Sequence, residues 1–223
     1  MKNSIVSDNA SGRKTGRRFK TNQLVTLGMM TAILLLMAWT PLGYLNIGPL
    51  AITFNMIPVA ISAIVMGPFG GAVAGAVFGI TSFLQCIGVG GVSAMGAALF
   101  AINPFLAFIQ RFVPRLLDGL FLGLLFPVLR RHMPVGLACT ITGFLAAFFN
   151  TVMFMGLLVA LFGNTEYVQN LMGGHNIIVG ICLMVGVNAI VEMLASALIT
   201  GAVGEALFKA HIVPVAEAKT AAA

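Results

Sequence analysis

Charge is what this sequence has least of: Lys, Arg, Asp and Glu make up 8% of its 223 residues, where an average soluble domain carries about 25%. With 59% hydrophobic residues beside that deficit, neither a soluble globular domain nor a disordered chain fits. Only six acidic residues are present, too few for a charged metal cage, and the histidines at 132, 175 and 211 have no metal-ligand spacing. The three cysteines, Cys86, Cys139 and Cys182, are odd in number and sit in apolar runs, which excludes a disulfide scaffold and reads as small buried hydrophobes. HExxH, GxSxG and P-loop patterns are missing, and the GPFGG stretch at 67–71 has no phosphate-loop lysine. No enzyme is indicated, no cofactor is called for, and nothing points to nucleic acid.

What is there is apolar chain in lengths that match a bilayer. A core near 30 Å asks for about 20 apolar residues per helical span, and runs occur at 24–39, 52–66, 71–87, 104–129, 135–162 and 177–208. This reads as an all-α integral membrane protein of six transmembrane helices. Residues 1–23 form a basic tail, 24–209 the membrane domain and 210–223 a second tail. The first run ends in TPLGY without an Ala-x-Ala cleavage pattern, so it reads as a retained span and not a signal peptide. Residues 87–103 are apolar enough to insert, yet their Gly and Ser content suits a loop or a re-entrant piece equally. No soluble segment is large enough for an energy-consuming domain, which would have to be another chain.

Basic residues set the expected orientation. The first tail carries six of the twelve Lys and Arg, and with six spans it shares a side with Arg130, Arg131, Lys209 and Lys219. The loops at 41–51, 88–102 and 163–176 contain neither Lys nor Arg. By the positive-inside rule both termini are cytoplasmic. Trp39 and Tyr44 then fall at the outer interface. Pro58 is expected to break the short second span and Pro114 to kink the fourth.

Polar residues inside spans are where chemistry is expected. Asn103 and Pro104 suit the cap and first position of the fourth span, which places Arg111 roughly 12 Å and Arg115 roughly 18 Å along it. Arg111, Arg115 and Asp118 share one face, so Arg115 can pair with Asp118. Arg111 is left without an evident local partner and suits an anionic group, bidentately if a carboxylate. Asn150 in span 5 and Asn188 with Glu192 in span 6 lie at a similar depth. Together with Arg115 they read as one polar layer, in which Glu192 either pairs between helices with Arg115 or meets a solute directly. His175, beside Tyr167 and Gln169, either closes over a solute or is a solvated loop histidine. Gly71, Gly75 and Gly79 read as close helix packing; Gly28 with Ala32 forms a small-x-x-x-small pair suited to packing or to docking another membrane helix. An autonomous proton-coupled permease or an intramembrane enzyme that titrates Asp118 and Glu192 is the competing reading.

The stretches TPLGYLNIGPLAITFNMIPVAISAIVMGPFGGAVAGAVFGITSF, INPFLAFIQRFVPRLLDGLFLGLLF, FFNTVMFMGLL and NAIVEMLASALITG, in this order, resemble the membrane-embedded substrate-binding subunits (S components) of energy-coupling factor (ECF) transporters. The resemblance covers about residues 24–208. It implies a six-helix bundle in the bacterial cell membrane that captures a vitamin or vitamin precursor from outside, with the first outer loop as lid. The bundle then docks on a transmembrane coupling subunit with two ATP-hydrolysing subunits. Family docking looks like an Ala-x-x-x-Ala pair on span 1, matched here by Gly28 and Ala32. Within the family the chain looks most like the branch with pantothenate carriers; folate, pyridoxine and thiamine-precursor subunits share the motifs. Pantothenate offers a carboxylate, an amide and hydroxyls. Arg111 would take the carboxylate, with Tyr44, Asn46, Asn103, Asn150, His175 and Asn188 as the remaining substrate-binding candidates and Arg115, Asp118 and Glu192 as a structural or gating layer.

Overall fold

A computed structural model describes residues 21–40, 43–46, 51–91, 93–173 and 177–213. The chain runs α1 (Thr21–Trp39), β1 (Tyr44–Asn46), β2 (Ala51–Thr53), α2 (Met56–Met66), α3 (Pro68–Leu84), a 3-10 turn (Gln85–Ile87), α4 (Ala94–Ile102), α5 (Pro104–His132), α6 (Val135–Phe162), α7 (Glu166–Met172) and α8 (Ile177–Lys209). Five helices are long and apolar enough to cross a membrane, and Met56–Met66 is a shorter apolar one. The result is a membrane helical bundle to which one antiparallel hairpin is added, with Tyr44 opposite Thr53 and Asn46 opposite Ala51.

The short α2 occupies the centre. All eleven of its residues are buried, as expected of a helix apolar all round, though about 16 Å of helix covers only half of a bilayer core. The expected second span therefore begins later than residue 52: Ile52 and Thr53 belong to the hairpin. Pro58 does not break it, because it stands in the first helical turn, where the missing N–H has no partner to lose. Pro114 and Pro127 both lie inside α5, which continues through them. Residues 87–103 resolve into the short helix α4, whose nine residues give about 13 Å and cannot span. The polar stretch after α6, whose composition suggests a loop, also holds a helix, α7; Thr165 caps it by accepting from the Val168 N–H.

Capping follows the expected chemistry at α5. The Asn103 side chain accepts from the N–H groups of Phe105 and Leu106, Pro104 is the first helical residue, and Arg130, Arg131 and His132 fill the last turn, where cations complement the helix dipole. Gly67, at φ 69°, allows the sharp reversal from α2 into α3. Cys86 and Cys139 are buried and free.

The most extensive contacts are α3 on α5 and α6 on α8, and both depend on small residues. A Cβ on Gly71 would collide with the Gly119 carbonyl, one on Gly119 with the Gly71 carbonyl, and one on Gly75 with the Arg115 carbonyl. On the other side Gly143 lies against Ser196 and Thr200, Gly201 against Thr140, and Gly204 against Cys139. Such backbone proximity is how helices associate where lipid removes the hydrophobic incentive. Gly71→Ala and Gly119→Ala are expected to destabilise by at least about 1–3 kcal/mol each through overpacking, seen as a lower thermal midpoint in detergent. Gly28→Ala, where a Cβ meets open space in a helix interior that favours Ala over Gly, should not lower that midpoint.

Candidate functional site

α5 carries Gln110, Arg111, Arg115 and Asp118 into the bundle interior, and all four are buried. Insertion of an arginine near the centre of a membrane helix costs about 2.5–3.5 kcal/mol, so each guanidinium needs compensation from protein. Arg111 donates to the Ser82 hydroxyl on α3 (3.4 Å) and to the Ser93 hydroxyl that opens α4 (3.2 Å), and stands 5.2 Å from the centre of the Phe154 ring. Ser93 thus receives both Arg111 and the Gly96 N–H. A side chain at Gly96 would press on Arg111 Nη2 and Cys86 Sγ. These partners are far away in sequence, which is why no local one is evident.

Arg115 is held differently. Its Nη1 donates to the Arg111 carbonyl at 2.7 Å, and its guanidinium lies 4.5 Å from the Phe78 ring and 4.8 Å from the Phe154 ring, between α3 and α6. The expected hydrogen-bonded pair with Asp118 does not form: among the described residues no hydrogen bond reaches either Asp118 oxygen. The reason is geometric. Helical side chains lean toward the N-terminus, so Arg115 reaches back one turn and not forward to 118. Its charge remains within electrostatic reach of Asp118 and Glu192.

α8 contributes Asn188 and Glu192, both buried. Glu192 Oε1 accepts the backbone N–H of Thr53 at 2.6 Å, a partner absent from the sequence reading, and so fastens the hairpin to α8. Two residues on, Asn55 is fully buried, and among the described residues neither its amide nitrogen nor its oxygen has a hydrogen-bond partner. The same holds for Asn150 Oδ1 on α6 and for Gln110 Oε1, while Gln110 Nε2 donates to the Phe154 carbonyl at 3.5 Å. A buried polar atom left unsatisfied costs about 1–3 kcal/mol, and native interiors contain few. Among the described residues, amide atoms of Asn55, Gln110 and Asn150 thus lack a hydrogen-bond partner in the same bundle interior that buries the two guanidiniums.

Among the other candidates, Tyr44 and Asn46 lie on β1 with side chains outside the described residues, and His175 lies outside them altogether. Asn103 is the cap of α5. In α7, burial raises the Tyr167 phenol above its ordinary range, partly offset by the nearby Arg111 charge; Gln169 donates to the Gly163 carbonyl in its own loop. Gly28 and Ala32 are exposed on α1. Asn55, Gln110, Phe154, Ser82 and Ser93 were missed. Asn55 is the one with a signal in the sequence, as a lone amide inside the apolar run 52–66.

A membrane bundle with a buried cationic and amide layer defines a class, a solute-binding membrane subunit. The chain matches the family "ECF transporter, substrate-specific component" over residues 22–204, and it belongs to that family. It is a transporter subunit and not an enzyme. It is 33% identical over 208 residues to the pantothenate transporter PanT of Leuconostoc mesenteroides subsp. mesenteroides, a match that covers 89% of this chain and 95% of that protein.

Two expectations follow from the geometry. Phe154→Leu removes the ring shared by both guanidiniums and should lower stability by about 2 kcal/mol or more, the worth of a desolvated cation–π contact, in a detergent melt. Glu192→Ala should speed hydrogen exchange at the Thr53 amide while the α8 amides stay protected, since a buried N–H left without its acceptor costs about 1–3 kcal/mol.

Proposed function

We propose that the chain captures pantothenate from outside the cell as the S component of an ECF importer, with six spans, α2 the short one, and both termini cytoplasmic. The observation that carries the reading is a bundle interior that buries Arg111 together with amide atoms of Asn55, Gln110 and Asn150 that have no hydrogen-bond partner among the described residues. Arg111 takes the carboxylate, because a guanidinium offers such a group charge-assisted, bidentate bonds. Asn55, Asn150 and Asn188 meet the amide and hydroxyls. Tyr44, Asn46 and His175, from the hairpin and the segment before α8, cover the solute, with Asn103 at the mouth. Arg115, Asp118 and Glu192 form the supporting layer, and the bond from Glu192 to the hairpin favours this structural role over a proton-carrying one. The choice of pantothenate leans on the name of the relative in Leuconostoc.

The basic residues Arg130, Arg131 and Lys209 gather at the ends of α5 and α8 away from the hairpin, which supports the orientation. Gly28 and Ala32 lie on the exposed face of α1 with Val25, Met29, Ile33 and Leu36, a surface suited to the coupling subunit, which works with two ATPase subunits.

Titration calorimetry on the chain purified alone tests the substrate. Pantothenate should bind with 1:1 stoichiometry, and Arg111→Ala should weaken it by about 1.5–3 kcal/mol, the loss of one charged hydrogen bond. Unchanged affinity in that variant removes Arg111 from the site; binding of folate, pyridoxine or a thiamine precursor in place of pantothenate replaces the substrate and keeps the class. Gly28→Leu combined with Ala32→Leu should abolish co-purification with the ECF module while pantothenate affinity stays that of wild type.

A further inference from the structure

Away from the polar layer, α5 and α6 diverge to leave a groove of about 430 Å³ lined by Phe121, Leu124, Leu125, Val128, Phe149 and Met153. Phe121, Leu124 and Val128 are among the large apolar side chains on the surface. In a bilayer that alone requires nothing but lipid. What distinguishes this groove is its foot.

The lining residues of α5 continue in helical register to His132, with Arg131 beside it, and both are exposed. Because side chains on a helix lean toward its N-terminus, these two lean back toward the groove. Arg130 points the other way and is engaged with the Phe208 ring at 4.5 Å. After Asp118 no acid occurs in α5; the nearby carboxylate of Glu205 lies against the first turn of α6 at Gly136 and is paired with Lys209 at 2.8 Å. A guanidinium and an imidazole therefore stand at one end of an apolar channel. The distance fits as well. From Arg131 to Phe121 is about 15 Å of helix, half of a hydrocarbon core near 30 Å.

We infer that the groove between α5 and α6 is a site for one anionic phospholipid, its phosphate held at Arg131 and His132 and one acyl chain lying along Phe121, Leu124, Val128 and Phe149. Charge at the foot selects an anionic headgroup, and the channel above it accepts a chain of one leaflet. Neither element contributes its groove side to the polar layer, so the inference stands apart from the choice of vitamin.

The test uses the full chain in detergent with equimolar phosphatidylglycerol and phosphatidylcholine, and counts retained lipid by native mass spectrometry. One phosphatidylglycerol is expected per chain, preferred at least about fivefold, the effect of one basic residue at an anionic surface. Arg131→Gln should abolish the preference, Leu124→Trp should reduce retention of both lipids by filling the channel, and Arg130→Gln should change neither. Thermal midpoints of the variants establish that each is folded. Equal retention of the two lipids by wild type overturns the inference, as does wild-type retention in both Arg131→Gln and Leu124→Trp. A photoreactive residue at 124 that links in cells to a protein and not to phospholipid also overturns it.

Discussion

Two guanidiniums must be kept inside an apolar bundle, and most of the interior is organised around that requirement. Arg111 and Arg115 lie one turn apart on α5, where hydration is lost and only protein can compensate. Hydroxyls from α3 and α4 meet the first. A backbone carbonyl and two aromatic rings meet the second. Phe154 serves both, which ties α6 to α5 at the level of the buried polar layer.

The rings and hydroxyls reach the arginines only because α3 lies close to α5. Gly71 against Gly119 and Gly75 against the Arg115 carbonyl set that approach, so Phe78 and Ser82, further along α3, arrive beside the guanidiniums. The hairpin is positioned by a different device: Glu192 accepts the Thr53 N–H and so ties it to α8.

Composition and run length made the spans legible, because a bilayer fixes how many apolar residues a helix needs. Asn103 as a cap was legible because its chemistry is local to Pro104 and the two N–H groups that follow. The glycines of α3 were legible as packing residues from their spacing. Partners supplied by other elements were not. Arg111 looked alone because Ser82 and Ser93 come from other elements, and Arg115 was assigned Asp118 from register, while the lean of helical side chains sends it the other way. Pro58 looked like a break because its place within the first turn depends on where α2 starts, which the hairpin decides. The helices α4 and α7 were hidden by Gly and polar residues, each signalled only by a Ser or Thr cap. Asn55 carried too little pattern to stand out, and its significance lies in its burial.

The proposed role requires that this chain alone hold a vitamin in its interior. The most direct measurement is to purify it in detergent, denature it, and identify by mass spectrometry any small molecule released in stoichiometric amount. Pantothenate at about one per chain is the expected result. A protein that releases nothing, and that on reloading takes up no member of a vitamin panel, would contradict it.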